Sequence, residues 1–156
     1  MTPSPAALAA RPHAPASAPV RSRAGAVIPA MQVLTLTEAL PGFPAHRDYA
    51  LVPADGAGVL SWLQSVAPDG PRFLVARATA YFPEYAPELP WAACAELGLG
   101  ESADAQVHCL VTVPDGDVAA ATVNLRAPLV VSPLTARARQ VVLADPSHPV
   151  RCPLRR

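Results

Sequence analysis

Twenty prolines in 156 residues constrain this chain more than any other feature. Proline has no amide hydrogen to donate and holds its own φ near one value, so it is kept out of helix interiors and central strands. At this density neither a long helix nor a long central strand can run uninterrupted. The elements must be short, with prolines at their ends or in the segments between them. Apolar residues make up 51% of the chain, enough for one core in a chain of single-domain size.

From about Val20 onward, short apolar runs alternate with turn residues, a pattern of strands. Val27-Ile28 and Met31 to Leu36 read as the arms of a hairpin around Pro29-Ala30. Leu40-Pro41-Gly42-Phe43-Pro44 reads as a turn with an aromatic anchor. Ala50 to Val52 ends at Pro53. Val59 to Val66 reads as a strand with Leu60, Trp62, Gln64 and Val66 on one face. Pro68-Asp69-Gly70 separates it from Phe73 to Arg77. Val107 to Val113, Ala121 to Leu125, Leu129 to Ser132 and Gln140 to Leu143 complete the series. One helix is expected, with Pro90 at its start, Trp91 to Leu97 as its body and Gly98 as its C-cap.

Strands this short with so little helix predict a mostly β fold, a compact antiparallel β-barrel-like single domain with one short helix. Closure removes the exposed edges that short strands otherwise leave. Residues 1–19 read as a disordered Ala- and Pro-rich tail, dispensable for folding. The barrel domain is expected over 20–143, with 144–156 as a C-terminal extension. Trp62, Val111, Val123 and Val141 are expected to be buried. Asn124 is a poor strand residue just before Pro128, and its side chain is expected to satisfy backbone groups at a bulge.

Catalytic chemistry finds little support. No serine sits in the glycine-flanked turn of the α/β hydrolases. Asp145, Ser147 and His148 are close in sequence, whereas a triad is normally assembled from distant loops. His148 and Cys152 have a metal-like spacing but no second pair to complete a tetrahedral site. Gly98-Leu99-Gly100 ends a helix and lacks the strand and third glycine of a dinucleotide loop. The three cysteines, Cys94, Cys109 and Cys152, are scattered and form no disulfide framework, which suits a reducing compartment. Cys109 reads as a small core residue whose neighbour His108 points to the opposite face. No catalytic residue, cofactor or metal is expected.

All twelve basic residues apart from histidine are arginine, a bias that a GC-rich genome explains, and the net charge is zero. A neutral chain argues against direct nucleic-acid binding. No apolar run reaches the length of a membrane span. The distribution of charge is more informative than its sum. Between Ala78 and Leu125 there are seven acidic residues and no arginine, and the rest of the chain carries every arginine with five acids. An acidic face of this kind attracts a basic partner. Inside it, Tyr81 to Leu89 combines acids, aromatics and prolines, which is an interface composition. Glu84, Tyr85 and Glu88 are the candidate partner-binding residues.

Several pieces occur in an order and spacing that resemble the FliW family of flagellar assembly factors. They are Leu40-Pro41-Gly42-Phe43, Trp62-Leu63-Gln64-Ser65, Phe82-Pro83-Glu84-Tyr85-Ala86-Pro87-Glu88-Leu89, Val111-Thr112-Val113-Pro114, Thr122 to Val131 and Gln140-Val141-Val142-Leu143. The resemblance runs from about Val20 to about Leu143. It implies a β-barrel-like protein of the bacterial cytoplasm, monomeric when free, that binds flagellin. On flagellin export it would bind CsrA, a translational repressor, so that flagellin mRNA is translated. A flagellin chaperone without CsrA antagonism is the alternative, and a small-ligand-binding barrel or enzyme a more distant one. The chain's neutrality departs from the acidity usual in the family.

Overall fold

The computed structural model describes residues 31–100 and 105–154, together with the backbone of two short strand pieces, β1 (Val20–Arg21) and β2 (Val27–Ile28). The tail expected over residues 1–19 lies outside the described residues. In chain order there follow β3 (Gln32–Leu36), β4 (Asp48–Pro53), β5 (Leu60–Ser65), β6 (Arg72–Arg77), α1 (Ala78–Tyr81), α2 (Trp91–Leu97), β7 (Gln106–Thr112), β8 (Thr122–Val123), β9 (Leu129–Ser132), β10 (Arg137–Gln140) and β11 (Cys152–Pro153).

Neighbouring strands from β7 back through β6, β5, β4 and β3 pair in antiparallel hairpin order. β10 pairs with β3 and with β9, and β9 returns to β7, so seven strands close into a barrel. The β10–β3 pairing is parallel, and the others in the ring are antiparallel. Parity requires this, because strand direction cannot alternate all the way round a closed ring with an odd number of strands. β2 pairs with β1, not with β3. Among the described residues β3 pairs with β4 and, through Thr35 and Leu36, with β10, and the turn of the hairpin expected around Pro29-Ala30 lies outside the described residues.

The barrel interior holds Leu34, Leu36, Tyr49, Leu51, Leu63, Val75, Leu129, Val131 and Ala138, with Leu40 among them. The turn at Leu40 to Pro44 forms as expected, and Phe43 packs edge-on against Phe73. Two apolar layers cover the outside of the barrel. In one, Ala93 and Leu97 of α2 meet Val130, Val141 and Leu143. In the other, Tyr85, Val123 and Leu125 cover Cys109. β9 lies under cover on both faces, which is why all its residues are buried without alternation.

Burial corrects two expectations. Trp62 is half-buried on the outer face with the Arg72 guanidinium 3.9 Å above its ring, while Ser61, Leu63 and Ser65 take the inside. A barrel this narrow has room inside for small side chains and few rings, and Leu63, paired with Leu51 and Phe73, fixes the register. Val111 is also only half-buried, at the rim of the outer layer. Val123 and Val141 are buried as expected.

α2 ends as its sequence indicates. Gly98 lies at φ 75°, its amide donating to Ala95 while that of Leu99 donates to Cys94. A Cβ there would come within 2.8 Å of Thr135, so close approach as well as positive φ requires glycine. The one-turn helix α1 was not anticipated from sequence.

Residues after Leu143 are stitched to the barrel. β11 pairs with β8, Leu125 donates to Pro149, and the Arg126 guanidinium donates to the carbonyls of His148 (2.9 Å) and Pro146 (2.7 Å). The same corner depends on Asn124. Its Oδ1 accepts from the amides of Arg126 (2.9 Å) and Ala127 (3.2 Å), holding the chain in an Asx turn before Pro128. Asn124→Ala is expected to lower stability by roughly 1–2 kcal/mol through the two lost bonds. Chemical denaturation checks this, and an unchanged midpoint would show that the turn holds without them.

Candidate functional site

The segment from Phe82 to Leu89 leaves α1 and lies across the outside of the barrel beside the C-terminal segment. Its amides are tied locally, Phe82 to Ala78 and Tyr85 to Phe82. Glu84, Ala86 and Glu88 face solvent, while Tyr85 is turned inward and only 9% exposed. The Tyr85 hydroxyl donates to the Leu125 carbonyl at 2.6 Å, and its ring meets His148 edge-on at 5.4 Å. Burial, and then the neighbouring Cys109, push the Tyr85 phenol far above its ordinary pKa, so it stays a neutral donor. Burial likewise pushes the Cys109 thiol up to about 11, leaving it protonated and inert at neutral pH.

The two segments frame a groove with two lobes that share Glu84 and His148. One lobe, of about 240 Å³, has Glu84 and Glu88 on one wall and Leu143 and Asp145 on the other. The second, of about 440 Å³, is apolar, with Phe82, Pro83, Tyr85 and Leu125 around it. The amide of Ser147 donates to Asp145, and this bond is the main reason the Asp145 carboxyl is held below its ordinary range. Asp145 and His148 stand 4.0 Å apart, and Ser147 is engaged through its backbone in an Asx turn, which is the geometry of a turn and not of a relay. Among the described residues no cluster of three His, Cys, Asp or Glu is placed to hold a metal ion. None of the described helices is long and apolar enough to cross a membrane.

Folding partly cancels the acidic middle of the chain. Arg139 reaches Glu96 and also Glu38 at 3.1 Å, and Arg137 donates to the Glu96 carbonyl. Glu84 and Glu88 have no ion-pair partner among the described residues. Of the candidate residues, then, the two glutamates are brought together as uncompensated charge on one wall. Tyr85 sits beneath them as a support and offers a partner little surface.

Trp91 was missed as a surface residue. It is 81% exposed, three positions beyond Glu88. The helical wheel could have found it, since Ala93 and Leu97 define the buried stripe of α2 and position 91 falls on the opposite side.

A profile of the FliW protein family matches residues 22–154. The chain is 31% identical over 119 residues to the flagellar assembly factor FliW of Moorella thermoacetica, covering 76% of this chain and 75% of that protein. It is 34% identical over 116 residues to the protein of the same name from Symbiobacterium thermophilum, covering 74% and 83%. A crystal structure of the flagellar assembly factor FliW superposes with a TM-score of 0.70 at 22% identity, over 87% of this chain and 96% of that one, and so shares the fold. With a family match across most of its length and the barrel to go with it, the chain belongs to the FliW family of flagellar assembly factors.

Proposed function

We propose that the protein works in the bacterial cytoplasm without bond chemistry, by holding flagellin and, once flagellin is exported, CsrA, so that flagellin mRNA is released for translation. Family membership supports a role in flagellar assembly through protein partners. The observation that carries the interface is the pair Glu84 and Glu88, exposed and uncompensated on one wall of a groove with an apolar second lobe. Fixed negative charge beside apolar area suits a basic protein surface and repels nucleic-acid phosphate.

The test is binding of purified flagellin and purified CsrA, separately and in competition. Each should bind, and excess flagellin should displace CsrA. Replacing Glu84 and Glu88 together with arginine should slow association by about tenfold at low salt and flatten its salt dependence. Melting should be unchanged, because both side chains are exposed. Wild-type association by a folded double variant would move the interface elsewhere. Failure of both partners to bind the wild-type protein would end the partner-switching reading.

A further inference from the structure

Resting on that reading, we infer that the groove receives a short extended segment of the partner that carries an arginine and, two residues away, a bulky apolar side chain. The acidic lobe, with Glu84, Glu88 and Asp145, suits a guanidinium, which pairs with carboxylates bidentately and sheds its water more readily than an ammonium. The apolar lobe, walled at its surface by Phe82 and Pro83 over the buried Tyr85 and Leu125, suits a leucine- or phenylalanine-sized group. The lobes adjoin at Glu84 and His148. In an extended chain, side chains two apart project to the same side about 7 Å from one another, and adjoining lobes call for two such neighbours on one side of a strand-like segment.

Both walls are fixed before any partner arrives. The Tyr85 hydroxyl pins one wall to Leu125, and Arg126 pins the other through Pro146 and His148. A groove held in this way adds little ordering cost to binding. A phosphorylated or acidic segment would meet like charge at Glu84, Glu88 and Asp145, and a purely apolar one would leave Glu84 and Glu88 desolvated and unpaired.

The experiment titrates the full-length, isotope-labelled protein with capped synthetic pentapeptides and follows backbone amide shifts. The peptides are Ser-Arg-Ser-Leu-Ser, its Arg→Glu and Leu→Ser versions, and the reordered Ser-Arg-Leu-Ser-Ser. The first should shift the amides of Glu84, Ala86, Tyr85 and Ser147 and bind at least tenfold more tightly than the other three. Glu84→Gln with Glu88→Gln should remove that preference while leaving the spectrum otherwise folded. Equal binding of all four, shifts confined to other residues, or no shifts at millimolar peptide would overturn the proposal. The flagellin and CsrA binding assays are read separately. If those proteins bind while the peptides leave the groove untouched, the segment proposal falls and the partner reading stands.

Discussion

Tyr85→Ala is expected to destabilise the protein by about 3–5 kcal/mol, the cost of removing a large aromatic from a packed site. Any loss of partner binding should follow from loss of fold. The ring fills the layer over Cys109, Val123 and Leu125, and its hydroxyl satisfies the Leu125 carbonyl at 2.6 Å. Deleting it opens a cavity and strands a buried acceptor in one step. Tyr85→Phe separates the two contributions, keeping the packing and losing the hydrogen bond at a cost of about 1–3 kcal/mol. Urea denaturation of both variants, with partner binding measured well below each midpoint, gives the readout. If Tyr85→Ala melted like wild type but released partners faster, the ring would be an exposed contact and its burial here misassigned.

That contrast marks the limit of what the sequence could reveal. Tyr81 to Leu89 was legible as a unit because prolines, acids and aromatics are concentrated there. Which of its side chains faces inward was not, because an irregular segment has no period from which to read a face. Where a period existed it could still mislead. β5 alternates cleanly, yet Trp62, its largest residue, lies outside while Ser61, Leu63 and Ser65 lie inside. The narrow ring, closed by a parallel pairing of Arg137 with Thr35 and Ala138 with Leu36, far apart in sequence, decides which face can hold what. Local rules succeeded where local chemistry decides. Pro90 and Gly98 bounded α2, Gly42 and Phe43 formed their turn, and the Asn124 side chain took the amides of Arg126 and Ala127. The second wall of the groove was invisible for the same reason. Residues 144–151 have no strand pattern, and they are placed by Arg126 bonds that no spacing announces.

His108 should make the protein lose stability as the medium is acidified from about pH 6.5 to pH 4, and His108→Leu should remove that loss. Cys109 faces the outer layer and Leu110 the barrel core, so alternation along β7 turns His108 inward beside Leu110. The imidazole is 3% exposed, and neither ring nitrogen has a hydrogen-bond partner among the described residues. Burial, and then the charge of Arg77 on the paired position of β6, lower its pKa from 6.5 to about 4. Between those two values the unfolded chain binds a proton that the folded one refuses. Stability is therefore complete above about pH 6.5, falls as pH drops, and levels below about pH 4, for a total loss of about 3 kcal/mol. Carboxylates titrate near the lower end of this window, so the measurement is the difference between wild type and His108→Leu in urea midpoints at pH 7.5, 6, 5 and 4.5. The variant should match or exceed wild type at pH 7.5, because leucine removes a buried polar ring with no partner to leave behind. Its advantage should then widen with acidification. Parallel curves for the two proteins would show that His108 takes up its proton in the folded barrel as readily as in the open chain, which requires water or a carboxylate beside the ring.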